Sequence, residues 1–145
     1  MIRKLVYRYY CEYCRKAGCS GGHIRHHEER CTLNPQRECG CCDHLLQQEQ
    51  PNMADILATL PLTPDEWGGY VHHCLHEADG RPFSIDYSAL VKAALPAARE
   101  AAKNCPACLL AALRIHGIPS WLHKEIFDYK AEMSDAWDVF NRDHA

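Results

Sequence analysis

Nowhere in these 145 residues do about 18 apolar residues follow one another, as a membrane-spanning helix requires. The opening, "MIRKLVYRYY", has basic residues but no apolar stretch of the length that a secretory signal needs. We therefore expect a soluble, cytoplasmic protein. Positive charge is also in short supply. The formal net charge is -3, whereas a dedicated nucleic-acid binder usually carries a basic surplus to displace counterions from phosphates. Several enzyme signatures are missing. HExxH is absent, and "HHEER" lacks the second His of a metalloprotease; there is no G-x-S-x-G elbow, no phosphate-binding Gly loop and no obvious pair of catalytic carboxylates. "SGGH" is too short for a nucleotide cradle, and its glycines read as a turn. Internal repeats and low-complexity tracts are absent.

Against these absences stand ten cysteines and ten histidines. A chain of this length can bury about two-thirds of its unfolded surface and does not need disulfides to fold. In a reducing compartment the thiols read as metal ligands or catalytic groups. Charge is unevenly spread: residues 1–44 hold eight Lys and Arg against five Asp and Glu, while residues 45–145 hold eight against fourteen. Only the first part, at +3, suits a polyanion; the remainder stands at -6.

Two regions follow, residues 1–44 and residues 45–145, with "QQEQPN" as a polar joint, and we expect them to fold together as one unit. The second region reads as helix. Residues 65–78 set Trp67, Tyr70, Val71, Cys74, Leu75 and Ala78 at helical spacing. "SIDYSALVKAALPAAREAAKN" is Ala-rich, with Ser84 as N-cap and Pro96 as a kink or a new start. Residues 106–116 continue as helix, with Gly117 and Pro119 as stop signals. Ser120 then caps one long expected helix, in which Leu122, Ile126, Tyr129, Met133, Ala136 and Phe140 form an apolar stripe. Strand signal is weak outside residues 5–14.

The cysteine and histidine spacings carry the chemistry. Cys11, Cys14, His27 and Cys31 read C-x2-C-x12-H-x3-C. Two cysteines on a tight knuckle present both thiolates to one point, and a His and a Cys four apart on a helix project from one face, closing a tetrahedron around zinc. Tyr9 and Ile24 supply apolar groups for a small core. His26 is the rival ligand to His27. A second pair, Cys39 and Cys42, shares its spacing with Cys105 and Cys108, with 62 residues between Cys42 and Cys105. Brought together they make a four-Cys site that clamps the first region onto the helices. Cys41 is an alternative ligand there, and an iron-sulfur cluster an alternative occupant.

Residues 9–31 resemble a zinc finger of the two-Cys two-His type, in its variant with Cys as fourth ligand. The resemblance implies a small ββα unit with Cys11, Cys14, His27 and Cys31 as ligands and residues 20–30 as the finger helix. Where such fingers carry an aromatic, four residues after the second Cys, this chain has Gly18. The whole chain is also similar to small bacterial and phage-type zinc-binding proteins that combine a finger, an "NP.R.C..C" segment and a later "CPAC" helix.

The fold class expected is thus mainly α, with a small N-terminal ββα finger and a helical body clamped by the four-Cys site. Two zinc ions are the expected cofactors. "CPAC" also resembles the redox motif of thioredoxin-like oxidoreductases, with Cys105 as nucleophile; that fold needs a preceding strand, and here the preceding segment reads as helix. In "HHCLHE", His72, His73 and His76 avoid the apolar face and read as a solvated surface. Cys19 and Cys74 read as small buried apolar residues. With all ligands supplied by the protein, zinc is structural, so we expect binding rather than catalysis. One reading is a protein-interaction or adaptor module docking through the finger or through the acidic residues Glu125, Asp128, Glu132, Asp135 and Asp138. The other is nucleic-acid binding through residues 1–44, with Ser20, His23 and His26 at base-facing positions of the finger helix and Arg15, Lys16, Arg25 and Arg30 on phosphates.

Overall fold

A computed structural model describes residues 1–3, 5–62 and 87–145. The expected helix over residues 65–78, its histidines, Cys74 and the Ser84 cap lie outside the described residues.

Residues 1–3 and 5–8 are exposed and take no regular structure; the chain then pairs two very short antiparallel strands, β1 (Tyr9–Tyr10) and β2 (Ala17–Gly18), with Tyr9 opposite Gly18 and Tyr10 opposite Ala17. Strand character over residues 5–14 is therefore confined to two residues. Helix α1 (Gly21–Arg30) follows, capped by Ser20, whose hydroxyl accepts from the His23 N–H. Both strands pack against it.

A six-residue π-helical turn, Cys41–Leu46, closes the Cys-rich region and ends at Gln47 in the left-handed conformation. Next comes α2 (Met53–Ala58), capped by Asn52, whose side chain accepts from the Ala54 N–H. Helix α3 (Tyr87–Ala101) runs through Pro96 without starting anew. Lys103 and Asn104, both at positive φ, then turn the chain into α4 (Pro106–His116). Proline at N1 lacks an N–H that would have had no helical partner anyway. Gly117, at φ 85°, ends α4, its N–H reaching the Arg114 and Leu113 carbonyls.

Helix α4 is the centre of the body. Seven of its eleven residues are buried, from Pro106 to Leu113, as a helix apolar on nearly every side requires. Against it pack α2 and the last helix; α3 packs on α2, and Ile56, Leu60, Val91, Ala98, Leu122 and Phe127 complete the core.

The long helix expected after Ser120 is two. Helix α5 (Ser120–Ile126) starts at Ser120 with Pro119 at the cap position, and α6 (Tyr129–Asp143) follows a break at Phe127. Phe127 is extended, at φ -159°, and buries its ring in the core, while Asp128 caps α6 by accepting from the Ala131 N–H at 3.1 Å. Apolar periodicity of four and three passed through a real break because Phe127, its N–H still on the His123 carbonyl, turns extended to bury its ring while Asp128 starts a new cap. Arg99 binds Glu132 through both guanidinium nitrogens and lies over the Phe127 ring at 5.3 Å, fixing α6 to α3. Glu132 is thus tied down rather than free on the acidic face.

Candidate metal centres

The described structure gathers eight residues into two groups of four, and within each group the Cys Sγ and His nitrogen atoms all lie within 4.8 Å of one another. Each group could hold one metal ion. The nine described cysteines are all free thiols.

The first group is Cys11, Cys14, His27 and Cys31. A tight turn between the strands presents the first two: Cys11 N–H donates to the Lys16 carbonyl, the Arg15 N–H donates back to Cys11, and Arg15 takes φ 62° to close it. His27 comes from α1 and sets Nε2 3.1 Å from Cys14 Sγ. Cys31 is not on the same helical face as expected. It is the C-cap of α1, extended at ψ 129°, and reaches the group because the chain turns back there. Asn34 secures that turn, its Nδ2 donating to the Glu28 carbonyl at 2.8 Å and its Oδ1 accepting from the Gln36 N–H. Behind the group, among the described residues, Ile24 is the only apolar side chain fully buried with Cys11 and Cys31, with Leu33 partly buried against them. It also explains the missing aromatic: a Cβ on Gly18 would lie 3.1 Å from Ile24 Cδ1, so Ile24 occupies the space a larger side chain would need. His26 faces away, exposed and 3.4 Å from Glu29.

The second group is Cys39, Cys42, Cys105 and Cys108, all buried. Cys39 stands just before the π-helical turn and Cys42 within it, whereas Cys105 caps α4 and Cys108 lies in its first turn. The Cys39–Cys105 and Cys42–Cys108 sulfurs are each 3.7 Å apart. Four thiolates around one zinc at about 2.3 Å give a tetrahedron with edges of about 3.8 Å. The donor set and its spacing therefore fit a single tetrahedral ion. Cys41 is buried in the same core but stands outside the group, and burial pushes its thiol pKa up.

Burial and mutual hydrogen bonding drive the four thiols of this group apart in pKa. Hydrogen bonds from Cys105 and Cys108 hold Cys39 far below the ordinary thiol range, with Arg37 adding to the effect. Burial and the Cys105 sulfur push Cys42 up to about 12. Cys108 is pushed up by hydrogen bonding to Cys105 and Cys39. Cys105 is lowered by Cys108, but Cys39 and burial outweigh this and leave it at about 11. One negative charge is readily accommodated and four are not; a divalent cation, if bound, would supply the missing attraction.

Sequence reasoning missed the groups that hold this site. Gln50 accepts from the Cys39 N–H at 2.7 Å and donates to the Arg37 carbonyl; Gln48 donates to Cys42 Sγ at 3.8 Å and to the Lys103 carbonyl. Residues read as a polar joint are thus outer supports of the second group, which orient ligands in metal sites. Arg37 is 7% exposed, and its Nε and Nη1 have no hydrogen-bond partner. A cleft of about 360 Å³ is bordered by Cys39, Cys42 and Gln48.

Of the residues expected at a nucleic-acid surface, Ser20 caps α1, His23, Arg25, His26 and Arg30 lie on it, and Arg15 and Lys16 precede it. Ser20 spends its hydroxyl on the cap. Arg25 borders an acidic cleft with Glu12, Glu28 and Glu29, and Arg30 borders the cleft at Cys39. His23, Arg15 and Lys16 are exposed, as is Cys19, which was expected to be buried. Among the described residues no helix is long and apolar enough to cross a membrane.

Comparison with protein-family models, with curated proteins and with solved structures finds no match to this chain.

Proposed function

We propose that the chain is a small binding protein whose fold is held by two structural zinc ions, one on Cys11, Cys14, His27 and Cys31 in a ββα finger, the other on Cys39, Cys42, Cys105 and Cys108. The observation that carries this reading is the gathering of two complete sets of four soft donors, the second from positions 66 residues apart at a sulfur spacing suited to one ion. Four protein donors leave tetrahedral zinc no open position for water or substrate, so each ion acts on the fold. A sulfur set this compact favours a single ion over an iron-sulfur cluster, whose sulfides would separate the ligand thiolates.

Burial supports the structural role of "CPAC" over a redox one. A reactive cysteine needs a low pKa and access, whereas Cys105 is 1% exposed with its thiol raised, and the element before it is helix α3. The finger and the acidic exposed residues of α5 and α6 then serve as docking surfaces. Metal analysis of the purified protein tests the core of the proposal: two zinc per chain is expected. Less than one zinc, or the visible spectrum of an iron centre, would sink it.

A further inference from the structure

Basic charge within the Cys-rich region is not where a finger helix would use it. Helix α1 carries Arg25 and Arg30 against Glu28 and Glu29 and is neutral, whereas residues 1–20 carry Arg3, Lys4, Arg8, Arg15 and Lys16 against Glu12 alone, a net of +4. Of these, Arg3, Arg8, Arg15 and Lys16 are exposed, and none has an ion pair among the described residues. Between them stand three tyrosines with their rings outward: Tyr7 is 75% exposed, Tyr10 54% and Tyr13 42%. Tyr9, by contrast, lies against Gly21 and belongs to the hairpin's own packing.

We propose that this hairpin and the segment leading into it bind single-stranded nucleic acid, the tyrosines stacking on bases and the basic side chains following the phosphates. Two observations choose this occupant. A surface at +4 beside a body at -6 selects a polyanion and orients it away from the helices. Exposed aromatic rings interleaved with cations match a strand whose bases are free to stack, which a duplex does not offer. The inference deepens the zinc-held binding reading and rests on it for one point, that the first metal group holds in place the turn that carries Tyr10, Tyr13, Arg15 and Lys16, whereas the surface itself is defined by those side chains.

The test uses the full chain with its zinc content measured in the same samples. A labelled 12-nucleotide single strand and the corresponding duplex are titrated at 50 and 200 mM salt. The single strand should bind more tightly, and five phosphate contacts predict a loss of about 100-fold over that salt range. Tyr7→Ala with Tyr10→Ala should weaken binding about fivefold or more at fixed salt. Arg3→Gln with Arg8→Gln should weaken it and flatten the salt slope by about 1.4. Arg25→Gln with Arg30→Gln, on the helix, should change it by less than about twofold. Preference for the duplex together with loss on changing Arg25 and Arg30 overturns the proposal in favour of the helix. No binding to any strand by protein holding both zinc ions overturns it too, leaving the zinc scaffold and a protein partner. Single-strand binding by protein that purifies without zinc supports this surface and overturns the structural-zinc reading instead.

Discussion

The two metal groups have nearly the same donors and opposite relations to the fold. Cys11, Cys14, His27 and Cys31 come from one short stretch, and among the described residues only Ile24 is fully buried with them, Leu33 partly so. Cys39, Cys42, Cys105 and Cys108 join distant parts of the chain and lie within a core that includes Ile56, Val91, Leu109, Leu113 and Leu122. Burying one isoleucine is worth roughly 1.5–3 kcal/mol, far below the conformational cost of ordering twenty residues. On the proposed zinc-held reading the first group would therefore create its structure through the metal, whereas the second would reinforce structure that apolar burial already supports.

Removing metal should separate the two most sharply. Structural zinc supplies about 10–16 kcal/mol in isolated finger peptides. On chelation we expect residues 9–31 to lose protection from amide hydrogen exchange, while α4 and the helices packed on it retain theirs. Simultaneous collapse of both regions would mean that the helical body depends on metal as completely as residues 9–31 do.

A smaller effect is expected from Cys105→Ser, which breaks the second group alone. Removing one partner from a buried charged set costs about 3–5 kcal/mol. The variant should hold one zinc instead of two and melt at a lower temperature, with the signals of residues 9–31 unchanged because the groups share no ligand. Unchanged zinc and melting temperature, with disulfide-reductase activity present in the parent and lost in the variant, would instead favour the redox reading of "CPAC".

The donor sets were legible because ligand spacing is a local constraint: a knuckle fixes two residues between cysteines, and equal spacing at 39–42 and 105–108 suggested the pairing. What holds the donors was not legible. Cys31 was assigned to the helix because His27 and Cys31 are one turn apart, and only the turn built by Asn34 shows that the helix has already ended. Gln48 and Gln50 looked like solvent-facing joint residues since their partners, Lys103 and Arg37, are set by tertiary contact. The break at Phe127 was hidden for a similar reason: periodicity reports which residues face the core and is blind to a change of backbone between them.

Arg37 offers a finer test of what metal does at the second group. A guanidinium this buried, with two nitrogens unpartnered, is costly by itself and favourable beside a dianionic zinc-thiolate centre. Arg37→Gln should thus destabilise the zinc-loaded protein by about 1–3 kcal/mol. In metal-free protein the same change should be neutral or stabilising. Denaturant titrations with and without zinc read the reversal, and equal destabilisation in both states would assign Arg37 to packing rather than charge.

Protons should distinguish the loaded and empty states most gently, and with opposite sign. In metal-free protein Cys42 and Cys105 hold their protons up to about 12 and about 11, and Cys108 is raised as well, against about 8.5 for an unfolded thiol. A folded pKa above the unfolded one gives stability that is complete below the unfolded value and is lost as pH rises through the folded value. The body without metal should therefore weaken from about pH 8.5 upward, in the window these three thiols define. With zinc bound the thiols are already ionised, so that alkaline loss should vanish and weakening should appear on acidification, as protons displace the ion. Melting temperatures from pH 5 to 11 on both forms give the comparison; parallel profiles would mean that Cys39, Cys42, Cys105 and Cys108 do not exchange their protons for a metal.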